Sequence, residues 1–446
     1  MNKHSLRLSA LLIAGAVLLG LPLPHASALE MRPWLKIDGT MFDAIFVRQV
    51  GEKIQLSDKD GRPVELLRSQ LSFGDLDYIA ENAPPDKTIK SLGGTGPKPK
   101  LPNPAKEVKV DRKLYKKEAG DFKINSRTYR VCETPHFKVM YLKPADPVDM
   151  AELAERLWVD TAFFHSTYIG KWVDRKMAII LVNDDEAYED IGSWAADMIS
   201  ASDDPKDKER AEDLRKTWPQ SASGVINMPQ AQADEQKIFG HLRVFRTYSE
   251  KVMVDRTTGK EVSRTKEQVK GVWVPFRTHC LAADMLGLQA GGTSGATPEG
   301  SFAVFTGHAY YKEILLNGRS ETSRLYTEGT GKDVGSAGGF KSDKDWADEL
   351  KKLLRKKEGP WKPDLDLLFK LESKAARLHD NVFAYAFSRF LQSTPERLTA
   401  YNKLCQKIDT ANQVPDIEEI ATIYGYENGE AFKKAWVAYM ESPEFK

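Results

Sequence analysis

The chain has 446 residues, and its composition of 41% hydrophobic and 29% charged residues excludes a disordered or fibrous protein. Its 65 basic and 64 acidic side chains nearly cancel, so no overall field attracts nucleic acid, and we expect no nucleic-acid partner. Three cysteines, Cys132, Cys280 and Cys405, allow at most one disulfide bond, which excludes a disulfide scaffold.

The first 28 residues have the pattern of a cleavable secretory signal peptide. Lys3 and Arg7 precede an apolar run at 10–21, and small residues at 26–28 form a cleavage site. The alternative, an uncleaved membrane anchor, is disfavoured because the run is short for a span and prolines follow it. We expect a mature chain that begins at Leu29, is exported to the periplasm or the cell exterior, and keeps no membrane span.

Residues 29–80 alternate apolar and polar side chains in the way that half-buried strands do. Phe42, Ala44 and Phe46 form one such series, and Asp60-Gly61 is typical of a hairpin turn. The pattern predicts a small β-barrel or a strongly bent sheet. A module of about 50 residues is near the lower size limit for independent folding, so each apolar strand position should matter.

The same segment resembles the first homology domain of the Sla endocytic adaptors, which is an SH3-like barrel. The resemblance rests on a tryptophan strand at Trp34, the FDAIFV strand at 42–47 and the closing pattern LSFGDLDY at 71–78. In those adaptors the domain binds short peptides. The resemblance therefore implies a peptide-binding surface that includes Trp34, Phe46 and Tyr78.

Residues 81–107 are rich in Pro, Gly and Lys and show no apolar periodicity. This composition is typical of a linker that polyproline II segments partly stiffen. We expect it to separate the first domain from a second domain at 108–446. An alternative is that the segment is a ligand of the neighbouring barrel, although it offers no obvious aromatic anchor.

The order of patterns in residues 108–446 predicts a mixed α/β domain whose C-terminal third is largely helical. The predicted elements are two strands within 122–142, a helix opened by Asp149, a buried strand at 176–184, a helix at 187–199, a solvated helix or insertion at 201–220, short strands between 224 and 272, and a helix at 274–288. The whole chain is thus expected to be α+β, with a small barrel, a linker and a mixed domain.

The stretch FRTHCLAADML at 276–286 has apolar residues at helical spacing around one histidine, His279. In zinc peptidases with an H-E-x-x-H helix, two histidines one turn apart hold the metal, and the glutamate activates its bound water. Here Cys280 stands in the place of the glutamate and Ala283 in the place of the second histidine.

The surrounding sequence is similar to the gluzincins of the peptidase MA type. TPHFKVMY at 134–141 matches their S/T-x-H-F-x-V strand, PEGSFAVF at 298–305 resembles their W-x-x-E-G-x-A-E-Y segment and shares its E-G pair, and the last helices resemble their helical tail. The resemblance implies a gluzincin-like domain in which His279 takes the place of the first zinc ligand and Glu299 that of the third.

The predicted site is degenerate at His279, Cys280, Ala283 and Glu299. Alanine has no donor atom, and replacing the glutamate by a thiol removes the general base, so we expect no catalytic residue, metal or cofactor. The alternative is a zinc hydrolase with a rebuilt site of His279, Glu299 and His308. A nucleophilic Cys280 served by His279 is disfavoured because adjacent helix residues do not face each other.

The sequence therefore predicts an exported protein that binds a protein or peptide through a disabled peptidase-like domain and an adaptor-type barrel. The groove between the sheet and the former active-site helix could hold an extended peptide by strand addition, which requires no metal. The two alternatives are the zinc hydrolase with an altered site and a structural protein of the cell envelope.

Overall fold

The computed structural model describes residues 30–82, 101–143, 145–164, 172, 174–201, 204–221, 223–247, 252–254, 261–263, 266–289, 299–322, 343–355, 362–372, 375–411 and 413–445. The predicted signal peptide and most of the predicted linker lie outside these residues. Within them the protein is mixed α/β and has three sheets, none of which closes into a barrel.

The N-terminal sheet is a four-stranded antiparallel meander in the order β1-β2-β3-β4. Its elements are β1 (Arg32–Leu35), β2 (Met41–Val50), β3 (Lys53–Asp58) and β4 (Pro63–Leu67), followed by helix α1 (Phe73–Asn82). The hairpin turn predicted at 60–61 joins β3 to β4, and Gly61 adopts a positive φ of 76° there, which glycine tolerates. The sheet remains open, so the SH3-like closure expected from the sequence is not shown.

The closing pattern of this segment is a helix cap that is tied to the first strand. The Ser72 hydroxyl accepts a hydrogen bond from the Asp75 N–H (3.1 Å) and donates one to Asp75 Oδ2 (2.7 Å). The same oxygen accepts the N–H of Leu35, and Arg32 pairs with Asp75 Oδ1 at 2.9 Å. Burial raises the pKa of Asp75 in spite of Arg32. Arg32 also lies over the Tyr78 ring, 4.4 Å from its centroid, so the pattern holds α1 against β1.

The central sheet has six strands in the order β5-β6-β7-β8-β10-β9. Its strands are β5 (Lys116–Ile124), β6 (Arg127–Glu133), β7 (Phe137–Tyr141), β8 (Lys176–Val182), β9 (Ser223–Asn227) and β10 (Ile238–Arg246). Strands β7, β8 and β10 run parallel, and the outer strands are antiparallel to their neighbours. A two-stranded ribbon, β11 (Val252–Val254) and β12 (Glu261–Ser263), follows.

The two strands predicted from the alternation at Tyr129 and Val131 and at Phe137, Val139 and Tyr141 are β6 and β7. The preceding strand β5 was not predicted, because its first six residues are exposed and so show no apolar alternation. The predicted cap of the next helix was wrong. Helix α3 begins at Val148, and the side chain that accepts the Val148 N–H is Asp146, at 3.0 Å, rather than Asp149. Asp149 lies in the first turn of the helix.

Helices cover both faces of the central sheet and build the C-terminal layer. Their bounds are α2 (Pro104–Glu107), α3 (Val148–Phe164), α4 (Asp185–Ser200), α5 (Pro205–Thr217), α6 (Gln230–Glu235), α7 (Lys266–Gln289), α8 (Gly307–Asn317), α9 (Asp343–Leu354), α10 (Leu365–Lys370), α11 (Leu378–Leu391), α12 (Pro395–Ala411), α13 (Ile417–Ile423) and α14 (Gly429–Glu441), with a π-helical turn at Phe302–Thr306 before α8. One core packs α3 and α7 on the sheet, a second packs α4 on its other face, and a third lies among α8 to α14. The helical C-terminal third predicted from the sequence is present.

The N-terminal unit shares a core with the rest of the protein. Leu35 and Phe73 are buried in the same cluster as α3, where the Phe73 ring centroid lies 6.2 Å from that of Phe163 and 5.8 Å from that of Phe164. Asp77 on α1 accepts a hydrogen bond from Asn402 on α12. The sequence pattern of a separating linker thus coexists with direct packing between the two units.

Candidate functional site

Helix α7 packs one face against the β9 edge of the central sheet. Phe276 meets Phe245 of β10 at a centroid distance of 6.4 Å, and one turn later Cys280 Sγ lies 3.8 Å from the Ser223 hydroxyl of β9. Asp284, one further turn along, pairs with Arg243 of β10. Residues four apart share a helix face, so this spacing directs one face of α7 at the sheet edge.

His279 lies on the neighbouring side of α7 and faces α8. It is buried, its ring meets that of Tyr310 edge to face at 4.4 Å, and its Nδ1 lies 3.2 Å from Oε2 of Glu313. Nδ1 has no well-aligned hydrogen-bond partner. Glu313 was not predicted from the sequence; it lies two positions after Tyr311 in α8 and is buried, where a carboxylate needs hydrogen-bond donors.

Glu313 is fully buried, and its carboxylate holds the turn that follows α8. Oε1 accepts the N–H groups of Glu321 (2.7 Å) and Thr322 (3.1 Å), and Oε2 accepts the Ser320 hydroxyl (3.0 Å). A carboxylate has about four acceptor positions, and three donors and the adjacent imidazole surround this one. The Glu313 carboxylate therefore already accepts hydrogen bonds from the following turn and has little capacity left to ligate a metal.

Glu299 and His308, the other proposed metal ligands, lie in different surroundings from His279. Glu299 is exposed and lines a pocket of about 470 Å³ together with Phe369 and Lys433. His308 is buried, and its Nδ1 lies 2.8 Å from the Tyr401 hydroxyl of α12. Among the residues that the structure describes, no group of three or more His, Cys, Asp or Glu side chains is arranged to hold a metal ion.

Cys280 and Ala283 are the α7 residues that the sequence comparison with H-E-x-x-H placed at the glutamate and second-histidine positions. Cys280 is buried, and burial raises the pKa of its thiol to about 11. The group is therefore a thiol, not a thiolate, near neutral pH, and a thiol is a poor nucleophile. Ala283 is half-buried and has no donor atom.

A buried ion pair beside Cys280 was not predicted from the sequence. Arg243 donates from Nε to Oδ2 of Asp284 at 2.6 Å and from Nη2 to Oδ1, and His241 Nε2 lies 3.2 Å from Oδ1. Burial alone raises the pKa of Asp284, but Arg243 and then His241 outweigh it and hold this pKa well below its usual range. An aspartate on an otherwise apolar helix face was the available signal, since such a group requires a cation.

Strand β9 presents its free main-chain groups away from the sheet. The Met228 N–H donates to the Gly240 carbonyl at 2.6 Å. Met228 follows Asn227, which is opposite His241, so Met228 and Gly240 form the next pair of the β9–β10 ladder. Hydrogen-bonded pairs alternate in an antiparallel ladder, so residues 224 and 226 bond inward to β10, and residues 223, 225 and 227 direct their N–H and C=O groups outward. Among the described strands none pairs with this edge.

The binding residues proposed for the N-terminal unit are mostly internal. Trp34 is 0% and Phe46 3% exposed, and the Trp34 indole N–H donates to the Ala44 carbonyl at 2.9 Å. Tyr78 is half-buried and packs edge to face on Trp34 at 5.9 Å. Of the three side chains, only Tyr78 has appreciable surface available to a ligand.

Within the described part of the chain, no helix is both long and apolar enough to span a bilayer. No protein-family model, curated protein or solved structure matches the chain.

Proposed function

We propose that this chain is an exported binding protein whose gluzincin-like domain is catalytically disabled and takes up an extended protein or peptide segment by strand addition at β9. The N-terminal unit is then an adaptor-type module with an SH3-like ancestry, and it supplies a second contact surface at Tyr78. The observation that carries this proposal is the outward-facing, uncharged edge of β9 beside the former active-site helix.

The two edges of the central sheet differ in a way that supports this assignment. Five of the nine residues of β5, KKEAGDFKI, are charged, and charged side chains commonly protect an exposed edge from pairing with another chain. Strand β9, with the sequence SGVIN, has no charged residue. An edge that lacks such protection and keeps its donors and acceptors outward favours β-augmentation.

The chemistry along α7 supports binding over hydrolysis. Cys280 is a buried thiol with a raised pKa, and Ala283 provides no ligand. Glu313 is surrounded by three hydrogen-bond donors, while Glu299 lines a separate pocket. These positions favour the binding protein over the alternative zinc hydrolase, which requires His279, Glu299 and His308 to act together.

The test is a proline substitution that removes an outward donor and leaves the ladder intact. The Val225 N–H faces outward, so Val225→Pro should be tolerated as prolines are on edge strands, whereas Ile226→Pro removes a ladder hydrogen bond. We expect the mature wild-type protein and the isosteric control Val225→Thr to retain members of a random extended-peptide library, and Val225→Pro to lose them. Circular dichroism and thermal melting should show that Val225→Pro is folded.

Two outcomes contradict the proposal. Peptides that bind wild type and the folded Val225→Pro variant equally well do not use this edge. Stoichiometric zinc in the purified protein, lost together with peptide hydrolysis in His279→Ala, favours the hydrolase.

A further inference from the structure

The outer edge of β9 is complementary to a second copy of itself. Its outward main-chain groups belong to residues 223, 225 and 227, which lie symmetrically about Val225. A two-fold axis through Val225 brings two such strands together antiparallel, with Val225 opposite its own copy and Ser223 opposite Asn227. Each outward residue then exchanges its N–H and C=O with the opposite residue, which gives about six main-chain hydrogen bonds.

The side chains fit the same register. On the face toward α7, the two Val225 side chains meet at the axis, and a Ser223–Asn227 pair on each side joins a hydroxyl to an amide. On the other face, Gly224, over which the Trp218 ring of the same chain lies, is opposite Ile226. Because β9 has no charged residue, no like charges oppose each other across the axis.

We infer that β9 pairs with β9 of a second copy of this chain, so that the protein in the absence of other ligands is a two-fold dimer with one continuous central sheet. Such an interface is isologous and closes, which is the commonest symmetry of soluble oligomers. The inference rests on the proposed function, because it names the partner that occupies the same strand-addition edge. A peptide ligand must displace the second copy, so its apparent affinity falls as the protein concentration rises.

Opposite charges introduced on the axis test both the partner and the register. In the mature chain, Val225→Lys and Val225→Glu each place two like charges opposite each other and should weaken the dimer about 100-fold. An equimolar mixture of the two variants places lysine opposite glutamate and should restore the dimer. Leu367→Lys, which introduces a charge at an exposed side chain of α10 away from this edge, is the control and should dimerise as wild type does. Sedimentation equilibrium over a concentration series measures all five samples.

A wild-type chain that is monomeric throughout the series overturns the inference without reliance on any variant. Dimers that persist in both Val225→Lys and Val225→Glu overturn it as well, because they place the interface elsewhere. Peptide-library binding separates this inference from the proposed function: a monomer that still binds peptides at β9 refutes only the dimer. A β9-mediated dimer that takes up no peptide refutes peptide binding and leaves self-pairing in place.

Discussion

Arg243 of β10 donates to both carboxylate oxygens of Asp284 of α7, with Nε 2.6 Å from Oδ2, and both side chains are almost completely buried. This pair joins the sheet to the helix one turn beyond Cys280. It therefore fixes the distance between α7 and β10, the strand that pairs with the edge strand β9.

Removing one partner of this pair should destabilise the protein strongly. In Asp284→Asn the Arg243 guanidinium remains buried without a counter-charge, and we expect a loss of about 3–5 kcal/mol in the free energy of unfolding. Urea denaturation at pH 7 measures the change. The matched control is Asp366→Asn, which removes an exposed carboxylate from the half-buried Lys433 while its second partner Glu430 remains, and which should change stability by less than about 1 kcal/mol.

The same carboxylate makes stability depend on pH in the acid range. Because the pKa of Asp284 is held below its ordinary value in the folded state, the unfolded chain binds this proton more readily than the folded protein does. The stabilisation is therefore complete above about pH 4, the ordinary range of aspartate, and is lost as the pH falls toward the depressed value. Between about pH 5 and pH 3, which brackets the ordinary pKa of aspartate, the free energy of unfolding of Asp284→Asn should fall less steeply than that of wild type. Equal slopes would refute the assignment.

The Cys280 thiol should be unreactive in the folded protein. Its pKa is raised to about 11 by burial, and Cys132 and Cys405 are buried as well, so an alkylating agent at pH near 8 should find little thiolate and little access. We expect alkylation of all three only after denaturation, as measured by intact-protein mass spectrometry. Rapid labelling of Cys280 in the native state would instead indicate an activated thiol and revive the nucleophile hypothesis.

Phe73 should stabilise both units of the chain together. Its side chain is 9% exposed and packs on Phe163 and Phe164, so Phe73→Ala should cost about 3–4 kcal/mol. If the two units share one core, thermal unfolding remains a single transition that shifts to lower temperature. Leu367→Ala, at a side chain that is 51% exposed, is the control and should shift it little. Separate transitions, with only the first one shifted, would show that the units unfold independently.

The sequence predicted the elements with clear periodicity and missed the exposed edge strand β5. The alternation of Ala44 and Phe46 and the apolar run of β8 gave strands where the structure has them, and the apolar spacing around His279 gave α7. The start of β5 was missed because an edge strand exposed on both faces need not alternate.

Partners at the candidate site depend on long-range packing that the sequence does not contain. Spacing from the gluzincin pattern assigned Glu299 to His279, but the acidic side chain beside His279 is Glu313 of α8. Similarly, nothing local connects Arg243 with Asp284, which lie 41 positions apart and meet only when β10 and α7 pack. Local periodicity therefore predicts where α7 lies in the sequence, but the residues that contact it are determined by tertiary packing.

The hydrogen bond between Asp77 and Asn402 spans 325 positions of the chain. If the protein is exported in an unfolded form, its first sheet reaches the destination long before the helix on which it docks. Until α12 arrives, Leu35 and Phe73 have no complete apolar environment, and contacts of such sequence separation form slowly. Under that condition, the early part of the chain is the part that most needs protection from aggregation before α12 is available.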